Sequence, residues 1–327
     1  MTLTEVRVFF VYKNVGSDLD MTEQQLVELI EQMNHRGAED TSDASISWDA
    51  FRYAETLRDR TIIPLAIDLV ERLESHEQRD SLYFILYHIG RHLGDRDVFL
   101  FLVDRLGLES NKYVLSSLLR HLATLDDGYQ GIVSVKQLVP YATHSAWQVK
   151  YDAIQVFHLC DPIEAECFLR TQLTVQAHDA MALQYLVGEL SYVGNKETIP
   201  SLIKLAEHQN GGVASSAIRT LTQLGDESLL PLFIECMSRR SIEVKYEAMY
   251  AISVHGNESA IPVIIQRVRQ LISRKRIVED DALIVAMTFL SRYPDHVDVI
   301  RIFDWTIKKK WDFLFSYEQE WLRRQNI

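Results

Sequence analysis

Three stretches in the second half of the chain carry the same punctuation: VGNKETIPSL at 193–202, LGDESLLPLF at 224–233 and HGNESAIPVI at 255–264. Gly194, Gly225 and Gly256 stand 31 residues apart, and so do Pro200, Pro231 and Pro262. Between them, VASSAIRTLTQLG (213–225) and VKYEAMYAISVHG (244–256) align without a gap. Self-similarity at a fixed period of this length marks a repeat architecture. Working outward, VKYDAIQVFHLCD (149–161) is a third clear copy. LYFILYHIGRHLG (82–94), VLSSLLRHLATLD (114–126), ALQYLVGELSYVG (182–194) and VEDDALIVAMTFL (278–290) are weaker ones. The seven starts, at 82, 114, 149, 182, 213, 244 and 278, are nearly evenly spaced.

Each copy reads as a helix. Apolar residues recur at helical spacing, as at Val213, Ala217, Leu221 and Leu224. Asn111, Asp179, Asn210 and Ser241, three residues ahead of their copies, are N-cap candidates. The closing Gly is expected to release the chain through a left-handed conformation. The next segment, IPSLIKLAEH (199–208) for example, is a second amphipathic helix with Pro in its first turn. Such a hairpin cannot bury both apolar faces alone, and stacking copies makes a continuous core.

At these residues the sequence resembles the HEAT-repeat family, including its branch similar to phycobilisome-lyase repeats. That pattern places Pro in the first helix, then Val-Arg-x-x-Ala and a closing Leu-Gly-Asp in the second. Here it reads Pro231, Val244-Lys245, Ala248, Gly256-Asn257, and Pro200, Val213, Ala217, Leu224-Gly225-Asp226. It departs where Lys150 and Lys245 replace the usual Arg and where Ala214 drops the charge. The resemblance implies an all-α fold: a right-handed α-solenoid of about seven HEAT-like helical hairpins over 61–291, with an N-terminal cap (1–60) and a C-terminal cap (292–327), in one continuous domain. It also implies that the second helix of each hairpin lines a concave face.

In the N-terminal region, VRVFFVY (6–12) reads equally as a strand or a helix start. MTEQQLVELIEQMNHRG (21–37) is an amphipathic helix, AEDTSDASISWD (38–49) an acidic loop, and SWDAFRYAETLRDR (47–60) a docking helix. The C-terminal region sets Phe303, Trp305, Trp311, Phe313, Phe315, Tyr317 and Trp321 around three lysines, 308–310. These rings read first as a cap over the last repeat; Trp305, Trp311 and Trp321 form a secondary candidate contact surface. Arg267, Arg269, Arg274, Lys275 and Arg276 read as a solvated inter-helix loop.

Composition narrows the function classes. The 327 residues carry 34 basic and 46 acidic side chains, a formal charge of −12. Such a surface repels phosphate backbones and favours a basic partner, so nucleic acid is disfavoured. No apolar run approaches the roughly 18 residues of a membrane span. The N-terminus makes a poor secretory signal, and three cysteines fit a reducing compartment; a cytoplasmic protein is expected.

No nucleophile elbow, phosphate loop, dinucleotide fingerprint or zinc-protease motif is present. His88 and His92 lack a nearby third ligand, Cys160 takes an apolar repeat position, and Glu279–Asp281 point different ways around a helix. The expectation is therefore no catalytic residues, no metal and no cofactor. HEAT-like DNA glycosylases, which hold damaged DNA on a basic, aromatic-lined concave face, supply the alternative; pigment-attaching lyases are a weaker one. The leading expectation is a non-enzymatic scaffold that binds a protein on its concave face, as an adaptor or as an immunity-type inhibitor of a basic protein. The third and seventh positions of each copy lie off the apolar stripe and differ most between copies. They nominate a ridge of Arg120, Tyr151, Gln155, Arg219, Tyr246 and Tyr250, of which the tyrosines and arginines are hot-spot residue types.

Overall fold

The computed structural model describes residues 21–36 and 45–325, and among these every regular element is helical. The expectations for residues 6–12 and for most of the 38–49 loop lie outside the described residues. The chain divides into two compact units, residues 1–161 and 162–327.

In the first unit the helices are α1 (Glu23–Met33), α2 (Ile46–Thr56), α3 (Ile62–Val70), α4 (His76–Leu93), α5 (Arg96–Leu106), α6 (Lys112–Ala123), α7 (Val135–Ala142) and α8 (Trp147–Ile154). Consecutive helices pair as α3 on α4, α5 on α6 and α7 on α8. The second members, α4, α6 and α8, pack side by side in a row, which α2 extends by packing on α4. The second unit repeats the plan with α9 (Pro162–Val175), α10 (Ala180–Val193), α11 (Ile199–Ala206), α12 (Gly211–Leu224), α13 (Leu230–Cys236), α14 (Ile242–His255), α15 (Ile261–Leu271) and α16 (Ala282–Leu290). Here α10, α12, α14 and α16 form the row, and α17 (Val297–Lys309) and α18 (Ser316–Arg324) close its end against α15 and α16.

The local signals explain these elements. The side chains of Asn111, Asp179, Asn210 and Ser241 each accept a backbone N–H of the first turn of their row helix, satisfying donors that a helix end leaves open. Asn195, Asp226 and Asn257 accept backbone N–H groups two residues on, at 2.8, 2.9 and 3.0 Å, and so shape the tight turn between hairpins. Pro200, Pro231 and Pro262 then sit in the first turn of α11, α13 and α15, where a missing N–H costs nothing. The apolar stripes are fully buried: Val213, Ala217 and Leu221 of α12, and Val244, Ala248 and Ile252 of α14.

The closing glycines do something other than expected. Gly94 at the end of α4 is left-handed, with φ +62°. Gly194, Gly225 and Gly256 are not; their φ values are −66°, −93° and −75°. They are glycines because of space. A Cβ would stand 2.3, 2.7 and 2.3 Å from the carbonyl oxygens of Leu190, Leu221 and Ile252, four residues back. A carbonyl of the helix backbone cannot move aside as a side chain does. Gly225→Ala is therefore expected to cost about 1–3 kcal/mol in urea denaturation, by overpacking.

Two copies end or begin away from their sequence frame. The copy at 149–161 is helical only to Ile154 and finishes as a short 3-10 turn, Phe157–Leu159; the copy at 278–290 becomes helical only at Ala282. The basic cluster also differs from a solvated loop. Arg267 and Arg269 lie on α15, and Arg276 is largely buried, paired with Glu318 and stacked over the Phe315 ring at 4.7 Å. Tyr317 donates to the Asp280 carbonyl at 2.5 Å, so the loop anchors α18.

Candidate interaction surface

The row helices bury one face against their hairpin partners and neighbours, and the third and seventh positions of the copies range from buried Ser116 and Ser215 to exposed Arg120, Gly188, Arg219 and Tyr250. In the first unit Arg120 is exposed, while Tyr151 on α8 and Gln155 just past its end are half-buried. Gln155 donates to the Tyr151 carbonyl, and the Tyr151 ring lies 5.9 Å from Trp147 with Lys150 5.0 Å above it. In the second unit the Arg219 side chain is 61% exposed yet ion-paired with buried Glu247 of α14. Tyr246 donates to the Asp281 carboxylate at 2.8 Å, and Tyr250 is 44% exposed.

A rule connects these pairs. The residue at the fourth position of a copy is a carboxylate three times, Asp152, Glu247 and Asp281, and each accepts from a third or seventh position of the preceding copy. The donors are Ser116, Arg219 and Tyr246. Arg219 and Tyr246 thus tie their polar heads to the neighbouring helix and leave their flanks outward. Burial, with the Asp281 hydrogen bond, pushes the Tyr246 hydroxyl up to about 12. Burial likewise raises the Asp152 carboxyl, against the hydrogen bond from Ser116 and the Arg120 charge.

Sequence reasoning missed the continuation of this stripe. One turn before Tyr151 stands Trp147, 61% exposed. Before Tyr246 and after Tyr250 stand Ile242 and Val254, so α14 shows an exposed or half-buried apolar residue at every fourth position along its length. The signal was available: the third and seventh positions continue by steps of four in both directions. On α10 the step of four from Gly188 leads to Tyr192, both exposed, and exposed Met181 lies seven residues before Gly188, two turns back on the same side. A Cβ on Gly188 would meet nothing within 4 Å. Gly188→Ala is accordingly expected to stabilise the protein by about 0.5–1 kcal/mol, since it lowers only the backbone entropy cost of a mid-helix glycine. Thermal and urea denaturation check this.

The secondary candidates are partly spent on the chain itself. Trp305, Trp311 and Trp321 are each half-buried. Lys310 lies 5.5 Å from the Trp305 ring, Arg323 lies 5.1 Å from Trp311, and Gln319 donates to the Trp311 carbonyl at 2.9 Å. The other sequence candidates stay apart from any shared chemistry. His92 bonds the Glu55 carbonyl at 2.7 Å, and His88 packs 4.4 Å from the Phe84 ring. Cys160 is fully buried and Cys167 exposed. Among the described residues no three His, Cys, Asp or Glu side chains are placed to hold a metal ion.

Residues 169–253 and 199–271 match the family of HEAT repeats, so the 169–271 segment is a HEAT-repeat region. No curated protein matches the chain. Among solved structures, an engineered protein from the Northeast Structural Genomics Consortium is similar at 16% identity, over 93% of this chain and 88% of that one, with a TM-score of 0.45.

Proposed function

We propose, from the HEAT repeats at 169–271, that the protein is a non-enzymatic scaffold that binds another protein on the outward faces of its row helices. HEAT repeats generally serve protein–protein interaction. The observation that carries the reading is the α14 stripe, where Ile242, Tyr250 and Val254 are 71%, 44% and 49% exposed along one face. Exposed tyrosine is a residue type enriched at binding hot spots, because a rigid ring gives large contact area for little entropy. We place this stripe on the concave side of the HEAT-like hairpins of the second unit, and the protein in the cytoplasm. The acidic charge favours a basic protein, as the client of an adaptor or the target of an inhibitor. It is concentrated in residues 1–161, which hold 15 basic and 25 acidic side chains, against 19 and 21 in 162–327.

The nucleic-acid reading requires cations facing phosphate. On this face Arg219 is already neutralised by Glu247, and Arg120 lies in the field of Asp80 and Asp152. That counts against a glycosylase-like grip. Affinity purification from the native host with wild type and Tyr250→Ala, each followed by mass spectrometry, tests the proposal. It predicts a stoichiometric protein that the variant loses. Co-purifying nucleic acid, with Tyr250 indifferent, would overturn it.

A further inference from the structure

We infer that α18 is a releasable strap over a basic seat on α16 and the loop before it, and that the seat takes a competing helix with a carboxylate and a leucine four residues later. α18 packs on α16 and is held more lightly than the row helices it closes off. Of its nine residues only Glu318 and Leu322 are buried, whereas α10, α12, α14 and α16 bury seven, eight, six and six.

The ion pair that fastens it is poorly satisfied. Glu318 Oε2 accepts from both Arg276 and the Phe315 backbone N–H, the latter at 2.9 Å. Its other oxygen, Oε1, is buried with no partner among the described residues. Nε and Nη1 of Arg276 are in the same condition, and Asp280, 3.7 Å from Nη1, is too far for a hydrogen bond. Arg267 of α15, which shares the Asp280 charge with Arg276, adds a buried unpartnered Nε. Four of the seven such side-chain atoms among the described residues therefore belong to Arg267, Arg276 and Glu318. A buried ion pair holds weakly unless its remaining donors and lone pairs are filled, because both charges have lost their water. Lifting α18 returns Glu318 to water and opens Arg276 to it.

What the seat accepts is shown by what α18 places there. A carboxylate in the first turn meets Arg276, and Leu322 follows one turn later on the same face. The Phe315 ring, three residues before the carboxylate, lies against the guanidinium at 4.7 Å. Residues 267–281 carry five bases and three acids, and Arg269, Arg274 and Lys275 are exposed. That balance attracts a helix that is acidic at its start. The seat does not depend on what binds the α14 stripe, so its test and the host-partner experiment fail separately.

The test uses the full chain and a fluorescein-labelled peptide of residues 312–325, read by anisotropy. Glu318→Gln loosens the chain's own strap and leaves the seat intact; Arg276→Gln breaks the same ion pair from the seat side. A strap that competes for its seat lowers the apparent affinity of the peptide by the fraction of chains with the seat open. Glu318→Gln should therefore bind the peptide at least about tenfold more tightly than wild type, and Arg276→Gln at least about tenfold more weakly than Glu318→Gln. A purely structural ion pair makes the two variants alike. Leu322→Ala, a second change on the strap side, should also tighten binding and serves if Glu318→Gln loses the wild-type circular dichroism. Should Arg276→Gln fail to fold, hydrogen exchange on wild type decides: the amides of 316–324 should exchange at least about tenfold faster than those of 282–290. Equal binding to the two variants, binding by wild type as tight as by Glu318→Gln, no binding by any chain, or equal exchange overturns the inference.

Discussion

Glu109→Ala should destabilise the first unit by about 3–5 kcal/mol, because it strands the Arg79 guanidinium and the Tyr83 hydroxyl around a site built for a carboxylate. Glu109 follows α5 and is almost fully buried. Arg79 of α4 grips it with both ends of its guanidinium, at 2.7 and 2.9 Å, and Tyr83 donates to it at 2.6 Å. Arg105, itself buried, donates to the Tyr83 hydroxyl at 3.0 Å and pairs with Glu71 at the end of α3. Three helices of two hairpins meet in one charge network. Burial alone would raise the Glu109 carboxyl, but the hydrogen bonds from Arg79 and Tyr83 outweigh it and hold the group below its ordinary value of 4.5. With a folded value below the unfolded one, the stabilisation is present above about pH 4.5 and fades as pH falls through the folded value. Urea denaturation of wild type and Glu109→Ala at neutral pH checks the magnitude. Replacing Glu109 and Arg79 together with apolar residues should cost much less, since no charge is then left unpaired.

The second large effect is a dependence on pH set by His121. This ring on α6 stacks on Tyr87 of α4, with centroids 4.4 Å apart and planes at 19°, and meets the edge of Phe84 at 5.8 Å. Its Nε2 is buried without a hydrogen-bond partner. Burial, with smaller repulsion from His88 and Arg120, pushes the imidazole down to about 3. The unfolded chain takes up a proton near pH 6.5 that the folded protein refuses, so stability falls as pH drops from 6.5 toward 3. At about 1.4 kcal/mol per pH unit the loss is roughly 2 kcal/mol between pH 6.5 and 5. His88, also lowered by burial, acts in the same direction. Asp80 and Asp152 act oppositely, since burial raises their carboxyls, but only nearer their own ordinary value of 3.8. His121→Phe should flatten the stability profile between pH 7 and 5, measured by denaturant midpoints across that range.

The sequence pattern foretold the helices well, for a physical reason. Caps, glycines and prolines act within a few residues, so Asn210, Ser241, Gly225 and Pro231 mark boundaries that no distant contact needs to supply. What the glycines do was less legible. A Gly after a helix reads the same whether it serves a left-handed turn, as Gly94 does, or clears a carbonyl, as Gly225 does. The candidate ridge was legible in position but not in partners. Arg219 meets Glu247 28 residues on, and Tyr246 meets Asp281 35 residues on. Those offsets depend on the register of neighbouring helices, which the period approximates only to a few residues. Charge runs were least informative: Arg276 sits among exposed bases in sequence yet is buried against Glu318.

Hydroxyl-radical footprinting of the full-length protein, alone and with its stoichiometric partner, tests the scaffold reading most directly. Tyr250 and Met181 are exposed and readily oxidised, and lie on the outward faces of row helices, whereas Trp305, Trp311 and Trp321 report on the C-terminal end. The account predicts that partner binding protects Tyr250 and Met181 and leaves the three tryptophans unchanged. Protection of the tryptophans, with Tyr250 and Met181 oxidised as in the free protein, would contradict it.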